Sequence, residues 1–132
     1  MARMPVAVGL LLCEQVIIEE RTRNCTPVNC FNQRFVRRIP TDPMTFTVLA
    51  YLTEAQGDVN IEVTVERNET LEEIHRLSRN IRFAGPLHEV GCLFRVRDCI
   101  FPAVGGYRIQ LTADGEPVAQ KRFFILPREN QP

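Results

Sequence analysis

Apolar and polar residues alternate strictly in several stretches of the chain, and this period constrains the fold more than any other feature. In VNIEVTVE, residues 59–66, the apolar positions are Val59, Ile61, Val63 and Val65. The same alternation is present in residues 45–53, 89–97 and 107–112. Because successive side chains of a β-strand point to opposite faces, this period predicts strands with one buried and one solvated face.

Turn-forming segments separate these stretches at short intervals. They are RTRN, PTDP, AQGD, RFAGP, FPAVGG and ADGEP. Asp114 and Gly115 lie between two alternating runs, residues 107–112 and 118–126, which predicts a β-hairpin. About eight or nine short strands separated by turns predict an all-β fold, a single antiparallel β-sandwich.

The chain has 132 residues, which is enough for one domain with its own core. We predict one sandwich domain over residues 1–127 and a disordered tail over residues 128–132. The Gly105-x-Tyr107 pattern is similar to one in many immunoglobulin-like domains, where a tyrosine near the start of a strand hydrogen-bonds back to the backbone. The sandwich is therefore expected to be immunoglobulin-like.

Residues 70–83 fit two kinds of secondary structure. Thr70 is followed by Glu73, a capping-box pair, and apolar residues then recur near helical spacing, which indicates a short helix over residues 70–81. The alternative is a strand with an arginine-bearing polar face. We favour the strand, because residues 59–66 otherwise lack a hairpin partner.

The opening stretch, MARMPVAVGLLLC, also has two interpretations. A basic residue, an apolar run and Cys13 outline a secretory signal that ends at a lipid-modified cysteine. However, Leu12 stands where such signals have a small residue, and β-branched residues resume directly after the cysteine. We therefore predict a strand over residues 6–12, a break or bulge near Cys13 and Glu14, and a continuation over residues 16–20. No apolar run approaches the roughly 20 residues of a membrane span, so we predict a cytoplasmic protein with no membrane partner.

Five cysteines, an odd number, favour reduced and mostly buried thiols over a disulfide framework. Cys25 and Cys30 just meet the spacing of a zinc-binding pair, and are the only residues we retain as outside candidates for a metal. The two histidines, His75 and His88, belong to no nucleophile motif, and there is no glycine-rich phosphate loop. We predict no catalytic residues, no bound metal and no cofactor.

Three segments carry a resemblance to a known family: LLLCEQVIIEE, CFNQRF and IFPAVGGYRIQLTADGEPVAQKRFFIL. The chain resembles a family of short bacterial proteins catalogued only as a domain of unknown function. The positions that match the family's closing pattern are Phe101, Pro102, Gly105, Tyr107, Asp114, Gly115 and Glu116. The resemblance spans nearly the whole chain and implies a short all-β, immunoglobulin-like sandwich with no catalytic motif.

Basic and acidic side chains number 16 each, so the net charge is zero and a nucleic-acid partner is not indicated. Two groups of arginines are nevertheless candidates for a binding surface. Arg34, Arg37 and Arg38 lie within five residues, and Arg95 and Arg97 share one strand face. They favour a site for a phosphate, a nucleotide or another small ligand. The alternative is a solvated face whose arginines are balanced by carboxylates across the sheet.

The last predicted strand, residues 118–126, carries the other candidate site. Lys121 and Arg122 have the character of edge protection, whereas Phe123 and Phe124 point to opposite faces, so that one ring is available to a partner. We predict a non-catalytic protein-interaction or assembly module that binds a protein partner or a second copy of itself. Binding of a small ligand through the arginines is the alternative function.

Overall fold

The computed structural model describes residues 4–128, and within them the chain forms nine β-strands and no helix. The strands are β1 (Val6–Ile18), β2 (Cys25–Cys30), β3 (Gln33–Val36), β4 (Met44–Thr53), β5 (Gly57–Arg67), β6 (Glu73–Phe83), β7 (Val90–Cys99), β8 (Gly105–Ala113) and β9 (Glu116–Pro127). The all-β class is confirmed. No helix with the length and apolarity to cross a membrane occurs in this part of the chain.

The nine strands form two sheets in a sandwich-like arrangement. One sheet has four strands in the order β2-β1-β4-β7, and the other has five in the order β3-β9-β8-β5-β6. Neighbouring strands are antiparallel with one exception, the parallel pair β3 and β9. The predicted antiparallel sandwich is therefore confirmed in its main pairing. β3 is parallel to β9 because the chain crosses from β2 into the second sheet and then runs in the same direction as β9.

The apolar positions of the alternating stretches meet between the two sheets. In β5 they are all buried: Val59, Ile61, Val63 and Val65. Aromatic rings form one cluster in this core, in which the Phe101 ring lies 4.9 Å from Tyr107 and 5.8 Å from Phe123 between centroids, both edge to face. Pairs of this kind contribute about 0.5–1.5 kcal/mol each beyond the burial of their area.

Tyr107 fixes the loop that leads into β8. Its hydroxyl donates a hydrogen bond to the Ala103 carbonyl at 2.6 Å and accepts one from the Ala103 N–H at 3.3 Å. Gly105, between them, has a φ of +130°, a conformation that residues with a side chain rarely adopt. The hydrogen bond from the tyrosine back to the backbone, which the Gly-x-Tyr pattern predicted, is therefore present.

Residues 70–83 contain a strand and no helix. β6 pairs antiparallel with β5, with Ile81 opposite Val59, and so supplies the hairpin partner that β5 requires. The Thr70 hydroxyl accepts a hydrogen bond from the Glu72 N–H at 3.2 Å, which belongs to a turn before the strand. Pairing and burial thus override the local helical pattern.

β1 is one continuous strand with two successive partners. It pairs with β4 up to Cys13 and with β2 from Cys13 onward. The prediction of a break or bulge near Cys13 and Glu14 is wrong, since the register shift lies between Ala7 and Gly9. What changes at Cys13 is the partner strand, because pairing with β4 ends where pairing with β2 begins.

The β1–β2 hairpin folds back over the outer face of the four-stranded sheet. In a straight strand Ile18 would lie about 30 Å beyond Gly9, the residue that pairs with Tyr51. Instead, Ile18 and Cys25 line the same cavity as Tyr51. Leu49, which alternates with core residues and points away from the core, is 0% exposed. The hairpin therefore covers this outer face.

The end of the described chain extends the pairing of β9 with β3. The Arg128 N–H donates a hydrogen bond to the Val36 carbonyl at 2.8 Å. The remainder of the predicted tail, residues 129–132, lies outside the described residues.

Replacing Tyr107 with phenylalanine removes the hydroxyl and keeps the buried ring. We expect the free energy of unfolding to fall by about 1–3 kcal/mol, because the Ala103 carbonyl loses its donor in a site with little water. Urea unfolding measures the loss as a lower midpoint at an unchanged m-value. Tyr51→Phe is the matched control, and an equal loss in the two variants would contradict the role given to Tyr107.

Candidate interaction surface

The outer face of the five-stranded sheet is polar along β5 and β6. Cross-strand pairs cover it: Arg76 with Glu62 at 2.8 Å, Asn60 with Asn80 at 3.0 Å, and Arg82 with Asp58 at 3.6 Å. Each pair joins two adjacent strands. Arg76 and Arg82 of β6 are thus balanced by carboxylates across the sheet, as the solvated-face interpretation predicts.

The same outer face is apolar along β3 and β9. Phe35 is 57% exposed and Phe124 is 46% exposed, and half-buried Leu126 lies directly opposite Phe35 in the parallel register. A Cβ atom on Gly106 would lie 3.5 Å from the Phe124 ring, so the ring packs against this glycine of β8. We call Phe35, Phe124 and Leu126 the aromatic patch.

Among residues 4–128, β3 has backbone groups without a strand partner beside the aromatic patch. The Asn32 carbonyl accepts a hydrogen bond from the Phe124 N–H of β9. The Val36 carbonyl accepts one from the Arg128 N–H, directly after β9. Because alternate residues of a strand direct their backbone groups to the same side, Gln33 and Phe35 direct theirs to the other side. On that side β3 is the last strand of its sheet. The aromatic patch therefore adjoins an open strand edge.

The other three edge strands are protected. Arg79 of β6 donates a hydrogen bond to the Leu93 carbonyl of β7 at 2.6 Å, where these two edges contact each other. β2 carries Pro27, which has no N–H, and Asn29, whose φ of 55° is left-handed. Proline and irregular backbone on an edge strand hinder the addition of another strand.

Two of the arginines predicted to bind a ligand are engaged within the fold. Arg34 Nη1 lies 3.2 Å from the Glu14 carboxylate, and Arg38 forms an ion pair with Asp42. Arg37 is exposed, and no carboxylate of residues 4–128 lies within ion-pair distance of it. Of these three side chains, Arg37 alone forms no ion pair with the described residues.

Arg95 is also part of the fold. Its Nη1 atom donates hydrogen bonds to the Glu14 carbonyl at 2.9 Å and to the Thr47 hydroxyl at 2.8 Å. Arg97 is exposed on the same strand, β7, whereas two of the other predicted arginines follow β3 in the second sheet. The structure does not bring the five predicted arginines into one site.

The four residues predicted on the last strand have different environments. Phe123 is 0% exposed and belongs to the core, whereas Phe124 is exposed, so the two rings do point to opposite faces. Lys121 lies on the same face of the strand as Phe123 and is half-buried. Arg122 lies on the same face as Phe124 and is exposed. An inward-pointing charge such as Lys121 protects a strand edge.

β9 itself is an edge along only part of its length. The prediction of an edge strand is wrong for residues 124–127, because β3 pairs with them. Residues 116–123 have β8 on one side and no strand partner on the other within the described chain. The exposed edge next to Phe124 is therefore that of β3.

All five cysteines are free thiols. Cys25 and Cys30 occupy opposite ends of β2, about 17 Å apart along an extended strand, so they cannot share a zinc ion or a disulfide. No three His, Cys, Asp or Glu side chains of the described residues are grouped so as to hold a metal ion. Burial raises the pKa of Cys92 to about 11 and the pKa of Cys99 to about 12, as expected for unreactive core thiols.

A cavity of about 730 Å³ lies between the β1–β2 hairpin and the outer face of the four-stranded sheet. The Tyr51 ring lies across two glycines, where Cβ atoms on Gly9 and Gly91 would be 3.2 Å and 3.3 Å from it. Burial and the neighbouring Cys25 thiol raise the pKa of Tyr51. Arg23 lines this cavity, and none of the arginines predicted as ligand residues does so.

Phe35 and Leu126 were not among the site residues predicted from the sequence. β3 has four residues, too few for a visible period, and its partner is the end of β9. The sequence contained one sign of this surface. Phe123 and Phe124 are adjacent in a strand, so one of the two rings has to point away from the core.

The chain belongs to a family of unknown function, DUF6941, whose family model matches residues 9–126. The matched range includes the whole aromatic patch and the open edge of β3. The resemblance inferred from the sequence is confirmed. No curated protein matches the chain.

The burial of the thiols predicts their order of reaction with an alkylating reagent at neutral pH. Cys30 is exposed and Cys25 is half-buried, whereas the other three cysteines are buried. We expect Cys30 to react first, Cys25 more slowly, and the buried thiols only after unfolding. Timed labelling followed by peptide mass spectrometry measures this order, and rapid labelling of Cys92 or Cys99 in the folded protein would contradict the buried positions.

Proposed function

We propose that this protein is a non-catalytic protein-interaction module that binds an extended segment of a partner protein along β3. The observation that carries the proposal is the open edge at Gln33 and Phe35, directly beside the aromatic patch. An extended segment would add a strand there, with backbone hydrogen bonds supplying affinity and the exposed rings selecting alternate side chains. Exposed aromatic side chains are also enriched at protein interfaces.

The charges around the edge favour an acidic, apolar partner segment. Arg37 follows β3 directly, and Arg122 lies beside Phe124 on the outer face. Neither has a carboxylate within ion-pair distance among residues 4–128, so both are available to a partner. We therefore propose a segment in which apolar residues alternate with Asp or Glu.

A second copy of this chain fits the same edge less well. The segment QRFVRR, residues 33–38, has three arginines and no acidic residue. Pairing two such edges would bring like charges onto adjacent strands, which is destabilising. Self-association through β3 is thus an outcome to be tested and not the occupant we propose.

Ligand binding through the arginines receives less support. Arg34 and Arg95 both contact Glu14, so a phosphate would have to displace contacts that hold the fold. The pairing of exposed arginines with carboxylates on β5 and β6 likewise supports a solvated surface. We also propose that the protein is cytoplasmic, as predicted from residues 5–20.

The test uses a labelled seven-residue peptide that alternates valine with glutamate, with both ends blocked. Fluorescence anisotropy measures its dissociation constant, and we expect the same peptide with lysine for glutamate to bind at least about tenfold more weakly. Phe35→Thr should weaken binding by about tenfold, the loss expected for one interface aromatic. Val8→Thr is the matched control, because Val8 is 55% exposed on β1, away from the edge.

Gln33→Pro tests the backbone contribution separately. It removes an N–H that points to the open side, so the fold should survive and binding should be lost. Equal binding of the two peptides, or unchanged binding in both the Phe35 and Gln33 variants, would sink the proposal. If the protein binds neither peptide but forms a dimer that Phe35→Thr dissociates, the occupant of the β3 edge is a second copy of the chain and not a partner protein.

A further inference from the structure

Cys13 and Cys30 are directly opposite each other on adjacent strands. In the antiparallel register of β1 and β2, the two residues are Cα partners. The Phe31 N–H donates a hydrogen bond to the Leu12 carbonyl at 2.9 Å, so Leu12 and Phe31 are a hydrogen-bonded pair. Because hydrogen-bonded and non-hydrogen-bonded pairs alternate along antiparallel strands, the next pair, Cys13 and Cys30, exchanges no backbone hydrogen bonds. In such pairs the Cα atoms are about 4.5 Å apart and the side chains are closest.

This geometry is compatible with a covalent link between the two sulfur atoms. Disulfides usually join Cα atoms about 4.4–6.8 Å apart, and directly opposite residues project from the same face of the sheet. Burial, and then the nearby Cys30 thiol, raise the pKa of Cys13.

The two thiols differ in access to solvent. Cys30 is exposed, whereas Cys13 is buried, with its Sγ atom 3.8 Å from the Thr47 carbonyl. A reagent in solution therefore meets Cys30 first. Cys13 is directly opposite the modified Cys30 on the neighbouring strand, at a Cα separation that a disulfide can span.

We propose that Cys13 and Cys30 are a redox-active thiol pair that a small-molecule disulfide converts into a cross-strand disulfide. The Cys30 thiolate attacks one sulfur of the reagent, forms a mixed disulfide and releases one thiolate. Cys13 then gives its proton to solvent, and its sulfur attacks Cys30 Sγ and releases the second thiolate, which takes up a proton. The two cysteines lose two electrons and the reagent gains them.

The link would close residues 14–29 into a loop just before the chain crosses to β3. It would therefore restrict the unfolded chain and stabilise the fold. In a reducing compartment the pair would rest as two thiols and respond when the disulfide concentration rises.

The experiment incubates the full, folded chain with glutathione disulfide, then alkylates the remaining thiols after unfolding. We expect three alkylated cysteines in place of five, and a mass lower by about 2 Da before alkylation. Tryptic digestion without reduction should yield residues 4–21 linked to residues 24–34. The melting temperature should rise by about 5–10 °C and return to its initial value after reduction.

Matched serine variants identify the partners. Because Cys30 is exposed, Cys30→Ser should keep the fold and abolish both the link and the thermal shift, and Cys25→Ser should leave both unchanged. Five free thiols after treatment, glutathione that stays on Cys30 without an internal link, or a link that survives in Cys30→Ser would each overturn the proposal.

Discussion

Glu14 lies where β1 exchanges one partner strand for another, and two arginines hold it there. Arg95 reaches from β7 to the Glu14 backbone carbonyl, and Arg34 reaches from β3 to its carboxylate. The Arg34 guanidinium also lies 4.1 Å from the centroid of the Phe31 ring, in the segment that joins the two sheets. Both contacts are charge-assisted, which makes them stronger than neutral hydrogen bonds. They connect the folded-back hairpin, the four-stranded sheet and β3.

The position of the hairpin determines which surfaces stay available. Because the hairpin covers the outer face of the four-stranded sheet, the apolar Leu49 and the thiol of Cys13 are buried there. No described segment covers the five-stranded sheet in this way, and its outer face divides into a charged half along β5 and β6 and the aromatic patch along β3 and β9. The open edge of β3 adjoins the aromatic patch, and the edge and the patch together form the candidate interaction surface.

The strands were predictable from the sequence, and the contacts between distant segments were not. Period-2 alternation identified β4, β5, β7 and β8, and the Asp114-Gly115 pair identified the hairpin, since both depend on neighbouring residues. The parallel pairing of β3 with β9 joins residues about 90 positions apart and leaves no local pattern, so Phe35 was missed. Arg34 and Arg95 were predicted to bind a ligand, because a sequence cannot show that one glutamate engages both.

Residue-resolved amide hydrogen exchange tests the open edge of β3 most directly. Val36 directs its N–H toward β9, whereas the Phe35 N–H points to the open side, so the account predicts that Phe35 exchanges about 100-fold faster or more. Addition of the acidic valine peptide should slow the exchange of Phe35 and leave that of Val36 unchanged. Equal and strong protection of both amides in the free protein would contradict the account, because the edge would then already be occupied.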